Sequence, residues 1–234
     1  MSNLKIPSCD NCTNHNDLFC GLTLNDRKEL SENKGSNVFK SGHTIFYEGN
    51  QPHGIYCIHK GKVKLSKLGA DGKEQIIRLA GKGEVLGYRS LLSNSSYDAT
   101  ATAIEDCEVC HISRGSFMKK MGENGRLAFN MIQLLSDNLK ESEDKLISIT
   151  QKTVRERIAQ AILLLKTKFG FEEDGATLAV VLTRREIGEI ANVTTETSIR
   201  TLSELKKEGV LELNQKKIKI ADMKQLIFIA NLED

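Results

Sequence analysis

The chain has 234 residues, 39% of them hydrophobic, and a formal net charge of +2, so it is long enough for two compact domains. It contains no apolar run of about eighteen residues and no apolar stretch behind its first lysine, so the sequence indicates neither a membrane span nor a secretion signal. We therefore expect a cytoplasmic protein without membrane partners.

The first feature along the chain is a group of cysteines. Three of the six cysteines precede any regular pattern, within a predicted N-terminal segment 1–24: Cys9, Cys12 and Cys20. Because the cytoplasm keeps thiols reduced, their clustering indicates metal binding or redox chemistry rather than disulfides. Cys57, Cys107 and Cys110 lie inside strand-like segments. We expect Cys57 to pack as a small apolar residue and Cys107 to be a spare thiol beside Cys110.

Residues 25–123 are predicted to form a domain of short strands. From Val38 to Ile112, runs rich in β-branched and aromatic residues alternate with glycine turns, a pattern typical of an antiparallel barrel or sandwich. The clearest local signal is Asp71-Gly72, which lies between two such runs and predicts a hairpin turn.

A helical period replaces the strand pattern after Gly125, and it predicts one long helix over residues 124–151. Apolar residues recur there in alternating steps of four and three, which is the spacing of a coiled-coil seam. The apolar residues of the seam are Ala128, Ile132, Leu135, Leu139, Leu146 and Ile149, and Ser142 occupies the seam position between Leu139 and Leu146. The opposite face is charged, so we expect a homodimer in which this helix pairs with its twin. An ordinary long core helix is the other interpretation.

The last predicted domain covers residues 152–234. Its predicted elements are a helix at 154–168, a short strand at 178–182, two short helices, and a hairpin formed by 210–213 and 217–220. Thr183 and the glutamate three residues later form a capping box that starts the first short helix. A break at residues 192–194 precedes a second helix, which begins at Thr195 and ends at Gly209. Such a pair of helices places the second in a DNA major groove.

Basic residues gather in this last domain although the net charge of the chain is small. They are Arg184, Arg185, Arg200, Lys206, Lys207, Lys216, Lys217 and Lys219. Their clustering is consistent with a surface that faces DNA phosphates. A solvated charged face is the other interpretation of the same composition.

The segment LTRREIGEIANVTTETSIR, from Leu182 to Arg200, resembles the CRP/FNR superfamily of bacterial transcription regulators, and the resemblance extends over nearly the whole chain. It implies an α+β fold with an N-terminal β-roll of the cyclic-nucleotide-binding type, a long dimerisation helix and a C-terminal winged helix-turn-helix. The elements predicted above follow the same order. The resemblance also implies a homodimer that binds palindromic double-stranded DNA with a TTGA-like or TGA-like core and contacts RNA polymerase.

In this superfamily a glutamate and, four residues later, an arginine read one G·C pair, and these match Glu196 and Arg200. A carboxylate accepts from the cytosine amino group, a guanidinium donates to guanine, and residues four apart share a helix face. An intrahelical salt bridge is the other interpretation. The residues expected at DNA are Thr183, Arg184, Thr194, Thr195, Glu196, Thr197, Ser198, Ile199, Arg200 and Lys206. Ile199 replaces the small polar residue common in the FNR subgroup, which leaves the half-site sequence open.

The N-terminal cysteines resemble those of FNR-type oxygen sensors, and Cys110 matches their distant fourth ligand. On this resemblance Cys9, Cys12, Cys20 and Cys110 bind a 4Fe-4S cluster, which requires four thiolates. One alternative is a structural zinc on the three N-terminal thiols with His15 or Cys110 as the fourth ligand. Another is a set of unligated or redox-active thiols, in a regulator controlled by a different small ligand.

Cyclic AMP is a poor candidate for the ligand. In the superfamily a Gly-Glu binds the ribose and an Arg-Ser or Arg-Thr binds the cyclic phosphate. Tyr88 stands in place of that glutamate, and Tyr97-Asp98 stands in place of the arginine pair. An aspartate would repel the phosphate. Gly83-Glu84 preserves the first dipeptide only in a nearby register.

The remaining functional class is an enzyme with a regulatory domain of this type. The sequence contains no P-loop, no nucleophile elbow and no motif with paired catalytic carboxylates. We therefore expect a regulator that is not an enzyme.

Overall fold

The computed structural model of the chain describes residues 17–70 and 72–231. They divide into two compact units: one contains the described residues up to Lys67 together with Arg78–Lys140, and the other contains Leu68–Ile77 and the described residues from Glu141 onwards. Cys9, Cys12 and His15 lie outside the described residues. Within the described part, no helix has the length and apolar character needed to span a membrane.

Eight strands of the described chain build two four-stranded sheets. They are β1 (Lys34–Phe39), β2 (Thr44–Phe46), β3 (Gly54–Lys60), β4 (Val63–Leu68), β5 (Glu74–Ala80), β6 (Val85–Leu86), β7 (Thr100–Ala103) and β8 (Cys107–Ser113). The sheet orders are β1-β8-β3-β6 and β2-β7-β4-β5. This topology confirms the predicted β-roll. β4 and β5 are neighbours, as the predicted hairpin requires, and Gly72 has a φ of 76° in their connection.

Strands β3 and β8 separate two apolar cores because successive side chains point to opposite faces. Ile58 and Val109 belong to the core between the sheets. Ile55 and Ile112 belong to a second core, on the outer face of the β1-β8-β3-β6 sheet. Helices and the segment around Leu18 cover that second core.

The covering helices of the first unit are α1 (Leu24–Glu32), α2 (Tyr88–Leu92), α3 (Arg114–Glu123) and the first part of α4 (Gly125–Gln151). The bounds of α4 confirm the predicted long helix. Lys120 of α3 is buried and donates to Asp26 at 3.0 Å and to Glu29 at 2.6 Å. This ammonium group holds the pKa of Asp26 at about 2. The contact therefore ties α1 to α3.

The second unit contains the helix-turn-helix. Its elements are α5 (Val154–Phe169), α6 (Arg184–Ala191), α7 (Thr195–Lys207), β9 (Leu211–Asn214), β10 (Lys217–Ile220) and α8 (Met223–Ile229). Thr183 and Glu186 form the predicted capping box, and β9 pairs with β10 as predicted. Helix α8 was not predicted; the Asp222 carboxylate accepts from the Gln225 N–H at its start.

The predicted strand at 178–182 is wrong. Only isolated bridges form in its neighbourhood, between Phe171 and Leu178 and between Thr177 and Lys219. Leu178 donates its N–H to the Ile218 carbonyl at 2.9 Å, whereas the Ala179 N–H donates to the Gly170 carbonyl at 3.1 Å. Because consecutive residues bond to different segments, no ladder develops.

Candidate nucleic-acid interface and sensory site

Helices α6 and α7 approach each other closely at Gly188. A Cβ atom at this position would lie 3.0 Å from the Val193 carbonyl oxygen and 3.3 Å from the Ser198 Cβ. Asn192 ends α6 in the left-handed conformation, with a φ of 53°, and so turns the chain within three residues. The absence of a side chain at Gly188 thus permits the tight turn between the two helices.

The first turns of α7 expose the residues that the sequence assigns to base reading. Glu196, Ile199 and Arg200 are exposed, and Thr194 caps the helix by accepting from the Thr197 N–H at 3.3 Å. The backbone N–H of Glu196 and the side chain of Thr194 hold the pKa of the Glu196 carboxyl below its usual range. Glu196 therefore offers an anionic acceptor at neutral pH. Among the described residues no ion pair joins Glu196 to Arg200.

Ser198 is a correction to the predicted set of DNA-contacting residues. Its exposed fraction is 0%, and its hydroxyl oxygen has no hydrogen-bond partner. It lies against Gly188 on the face of α7 that packs onto α6. Its small side chain permits the helices to pack and does not belong to the exposed surface.

The opposite side of α7 is anchored within the second unit. Leu202 and Leu205 are fully buried. Arg155 of α5 donates through both terminal nitrogens to the Glu208 carboxylate at the end of α7, with one of the two distances 2.8 Å. A bidentate contact of this kind fixes the orientation of the helix as well as its position.

Ion pairs neutralise part of the predicted basic surface. Lys217 lies 2.7 Å from Glu172 and Lys219 lies 3.3 Å from Glu212. Arg185 lies 2.7 Å from Glu189 on the next turn. No ion pair within the described part of the chain involves Arg184 or the other four basic residues, which are Arg200, Lys206, Lys207 and Lys216. Of these four, the first three lie on α7 and the last lies in the β9–β10 turn.

Arg184 is half-buried and donates to the Gln215 carbonyl oxygen at 2.9 Å. Burial lowers the pKa of its guanidinium group. This arginine joins the start of α6 to the β9–β10 turn. Thr183, Thr195 and Thr197 are partly exposed near the starts of α6 and α7.

Most of the predicted dimer seam is exposed on α4. Ile132, Leu139 and Leu146 are more than 60% exposed, and Leu135 is 36% exposed. Ala128 and Ile149 are partly buried. A single helix that exposes this many large apolar side chains in register has the surface of a dimerisation element.

Cys20 and Cys110 both belong to the layer on the outer face of the β1-β8-β3-β6 sheet. Cys110 is 8% exposed and shares a strand face with Ile112. Cys20 is exposed, and its carbonyl oxygen accepts from the Asn130 side chain of α4 at 3.0 Å. Asn130 also donates to the Leu18 carbonyl at 3.1 Å. Cys107 points into the other core, so it does not lie beside Cys110 as predicted.

Tyr88 and Tyr97, which the sequence sets against the family's cyclic-nucleotide residues, contact other residues of the chain. Arg78 donates to the Tyr88 hydroxyl at 3.1 Å and to Glu84 at 3.0 Å. Tyr97 is buried and stacks on Phe46 with ring centroids 4.0 Å apart. Burial raises the pKa of the Tyr97 phenol, which is therefore neutral at physiological pH.

Comparison with known proteins agrees with this two-part arrangement. Residues 36–124 match the cyclic nucleotide-binding domain family, and residues 156–229 match the Crp-like helix-turn-helix domain family. The two matches together cover most of the chain, in the order found in transcription regulators of one family. The chain belongs to the CRP/FNR family of DNA-binding transcription regulators.

The relatives of this chain within the family include the fumarate and nitrate reduction regulatory protein of Salmonella typhimurium. It is 26% identical over 230 residues, which cover 95% of this chain and 90% of the relative. The CRP-like cAMP-activated global transcriptional regulator of Mycobacterium tuberculosis is 26% identical over 189 residues, covering 80% and 84%. The solved structure of FixK2 from Bradyrhizobium japonicum has a TM-score of 0.76 at 25% identity, covering 86% of this chain and 99% of FixK2.

Proposed function

We propose that this CRP/FNR-type regulator senses oxygen or redox state through a 4Fe-4S cluster held by Cys9, Cys12, Cys20 and Cys110. The observation that carries the proposal is the pair of hydrogen bonds from Asn130 to the carbonyl oxygens of Leu18 and Cys20. Through them a proposed ligand is attached to the helix that carries the dimer seam.

The described residues suit such a group. Cys110 is recessed on β8, and Cys20 belongs to a segment that packs into the same layer through Leu18 and Leu22. Thiolates are the donors that iron–sulfur clusters require, and partial burial limits solvent access to them. When bound, the cluster supplies an oxygen-labile link between the N-terminal segment and β8. Asn130 then holds that segment against α4.

The dimer seam begins next to this attachment. Ile132 follows Asn130 by two residues and is 61% exposed. A change in the packing of residues 18–20 therefore acts directly on the first turns of the seam. We propose that the cluster-bearing form dimerises through α4 and binds a palindromic operator, from which it contacts RNA polymerase.

Residues of the β-roll favour this signal over cyclic AMP. By the resemblance Asp98 stands in place of a phosphate-binding residue of the family, and its carboxylate forms an ion pair with Arg89. Tyr97, which replaces the phosphate-binding arginine, is buried against Phe46. An arginine that is already paired with a carboxylate is a weaker anion site than a free one.

The proposal is tested on protein purified without oxygen. We expect a broad visible absorption band that bleaches in air, with iron and sulfide contents near one cluster per chain. Cys12→Ser and Cys110→Ser should abolish the band, whereas Cys57→Ser should retain it. Equal iron content in the three variants, or a colourless protein that contains zinc, would contradict the proposed ligand set.

A further inference from the structure

Cys57 and Cys110 lie directly opposite each other on neighbouring strands. In the antiparallel register of β3 and β8, Ile55 pairs with Ile112, Tyr56 with His111, and Cys57 with Cys110. The neighbouring pair demonstrates how close opposed side chains are, because the rings of Tyr56 and His111 have centroids 4.8 Å apart. The two cysteines therefore share one face of the sheet.

Cys57 lies on β3 and Cys110 lies on β8, the two central strands of the sheet. Because each of these strands pairs with a neighbour on both sides, the register of the two cysteines is fixed. Cys57 also pairs with Val85 on β6, and Cys110 pairs with Ser36 on β1. Cys57 packs against the second core and is only partly buried. Cys57 is therefore the more exposed member of the pair, and Cys110 is buried in the sheet.

The backbone spacing suits a disulfide. Opposed residues of antiparallel strands have Cα atoms about 4.5 or 5.5 Å apart, within the range of about 4.4 to 6.8 Å found in disulfides. Their Cβ atoms are about 4.5 to 5.5 Å apart, slightly more than the usual range of about 3.5 to 4.5 Å. A bond formed across this pair would carry some strain, which makes it easy to reduce.

We propose that Cys57 and Cys110 form a reversible disulfide under oxidising conditions. A low-molecular-weight disulfide such as oxidised glutathione serves as the oxidant. The Cys57 thiolate attacks it and releases one glutathione, and the Cys110 thiolate then attacks the Cys57 sulfur and releases the second. Two protein thiols are oxidised, the glutathione disulfide is reduced, and the two protons end on the released glutathione thiols.

Cys107 is the matched control. It lies three residues before Cys110 but points into the core between the sheets. Its sulfur lies within hydrogen-bond distance of two carbonyl oxygens, those of Lys62 at 3.3 Å and Glu105 at 3.1 Å, and burial raises the pKa of the thiol. It can therefore neither face Cys57 nor react readily as a thiolate.

This disulfide has a consequence that rests on the proposed function. Cys110 cannot bind iron while it is bonded to Cys57. The oxidised chain should therefore assemble no cluster until a thiol reductant is added. Cys57→Ser should assemble a cluster with no such delay after the same oxidation. The disulfide itself requires no iron, and it is therefore tested separately on iron-free protein.

The experiment treats the reduced, iron-free, full-length chain with oxidised glutathione and maps peptides without reduction. Cleavage after Glu108 separates Cys107 from Cys110, so each linked peptide identifies its cysteines. We expect a peptide that links Cys57 to Cys110 in the native chain and in Cys107→Ser, and its loss after dithiothreitol. If Cys110 is instead bridged to Cys9, Cys12 or Cys20, or if no bridge to Cys57 forms, the inference is wrong. If the linked peptide forms but the chain never binds iron, the disulfide is supported and only the proposed cluster is refuted.

Discussion

The Arg89 guanidinium lies 3.5 Å from the Asp98 carboxylate. Both side chains are about half exposed, so the pair stabilises the fold little, but it neutralises the arginine as an anion site.

The first prediction follows from this pair: cyclic AMP should not stabilise the protein. A ligand present at one hundred times its dissociation constant raises the free energy of unfolding by about 2.7 kcal/mol, which a thermal melt detects. We expect no shift of Tm with millimolar cyclic AMP, whereas the cAMP-activated relative from Mycobacterium tuberculosis serves as the positive control. A saturable rise in Tm would contradict the prediction.

The second prediction concerns the dimer. Leu139→Glu places a charge in the middle of the exposed seam and should convert dimers to monomers in sedimentation equilibrium. The affinity for the operator should fall as the dimer is lost, because a palindromic site binds two subunits. Leu24→Glu, at an apolar position on α1 that is 70% exposed, is the control and should remain dimeric. If Leu139→Glu is still dimeric at micromolar concentration, α4 does not form the dimer interface as predicted.

The third prediction separates base reading from phosphate binding. Arg200→Ala should cost about 1 to 3 kcal/mol per half-site on the specific operator and flatten discrimination at one base pair. Lys206→Ala should weaken specific and random DNA alike and reduce the salt slope by about one. The measurement is a binding titration on operators substituted at each position. An unchanged base preference in Arg200→Ala would show that α7 does not read that pair.

The fourth prediction concerns acid stability and Lys120. Hydrogen bonding to this buried ammonium lowers the pKa of Asp26 to about 2, below the value of about 3.9 for an unfolded chain. The carboxylate therefore adds stability above about pH 4, and this contribution disappears as the pH falls towards 2.

We expect Lys120→Met to lower Tm by about 5 °C at pH 7, because it removes the hydrogen bonds of Lys120 to both Asp26 and Glu29. Its unfolding curve should approach that of the native chain as the pH falls from 4 to 2. Lys119→Met is the matched control, since Lys119 is exposed and lies 3.8 Å from Glu123. A constant difference across this pH range would show that Asp26 and Lys120 are not coupled.

Local patterns in the sequence predicted the elements that local interactions determine. The capping box of Thr183 and Glu186, the break at Asn192 and the seam of α4 each depend on residues a few positions apart. The pairing of Cys57 with Cys110 and the ion pair of Arg89 with Asp98 join distant segments, and their geometry depends on strand register and tertiary packing. The burial of Ser198 likewise depends on the close approach at Gly188, which only the packed helices reveal.

The two hydrogen bonds from Asn130 also have a thermodynamic consequence. Coupling between two binding events is reciprocal, so a cluster that favours dimers must itself be favoured by dimerisation. Under the proposed function, the affinity of the chain for the cluster depends on protein concentration: dilution below the dimer dissociation constant lowers it, and operator DNA raises it. The attachment of Leu18 and Cys20 to α4 would therefore make promoter-bound molecules the ones that hold the cluster most tightly.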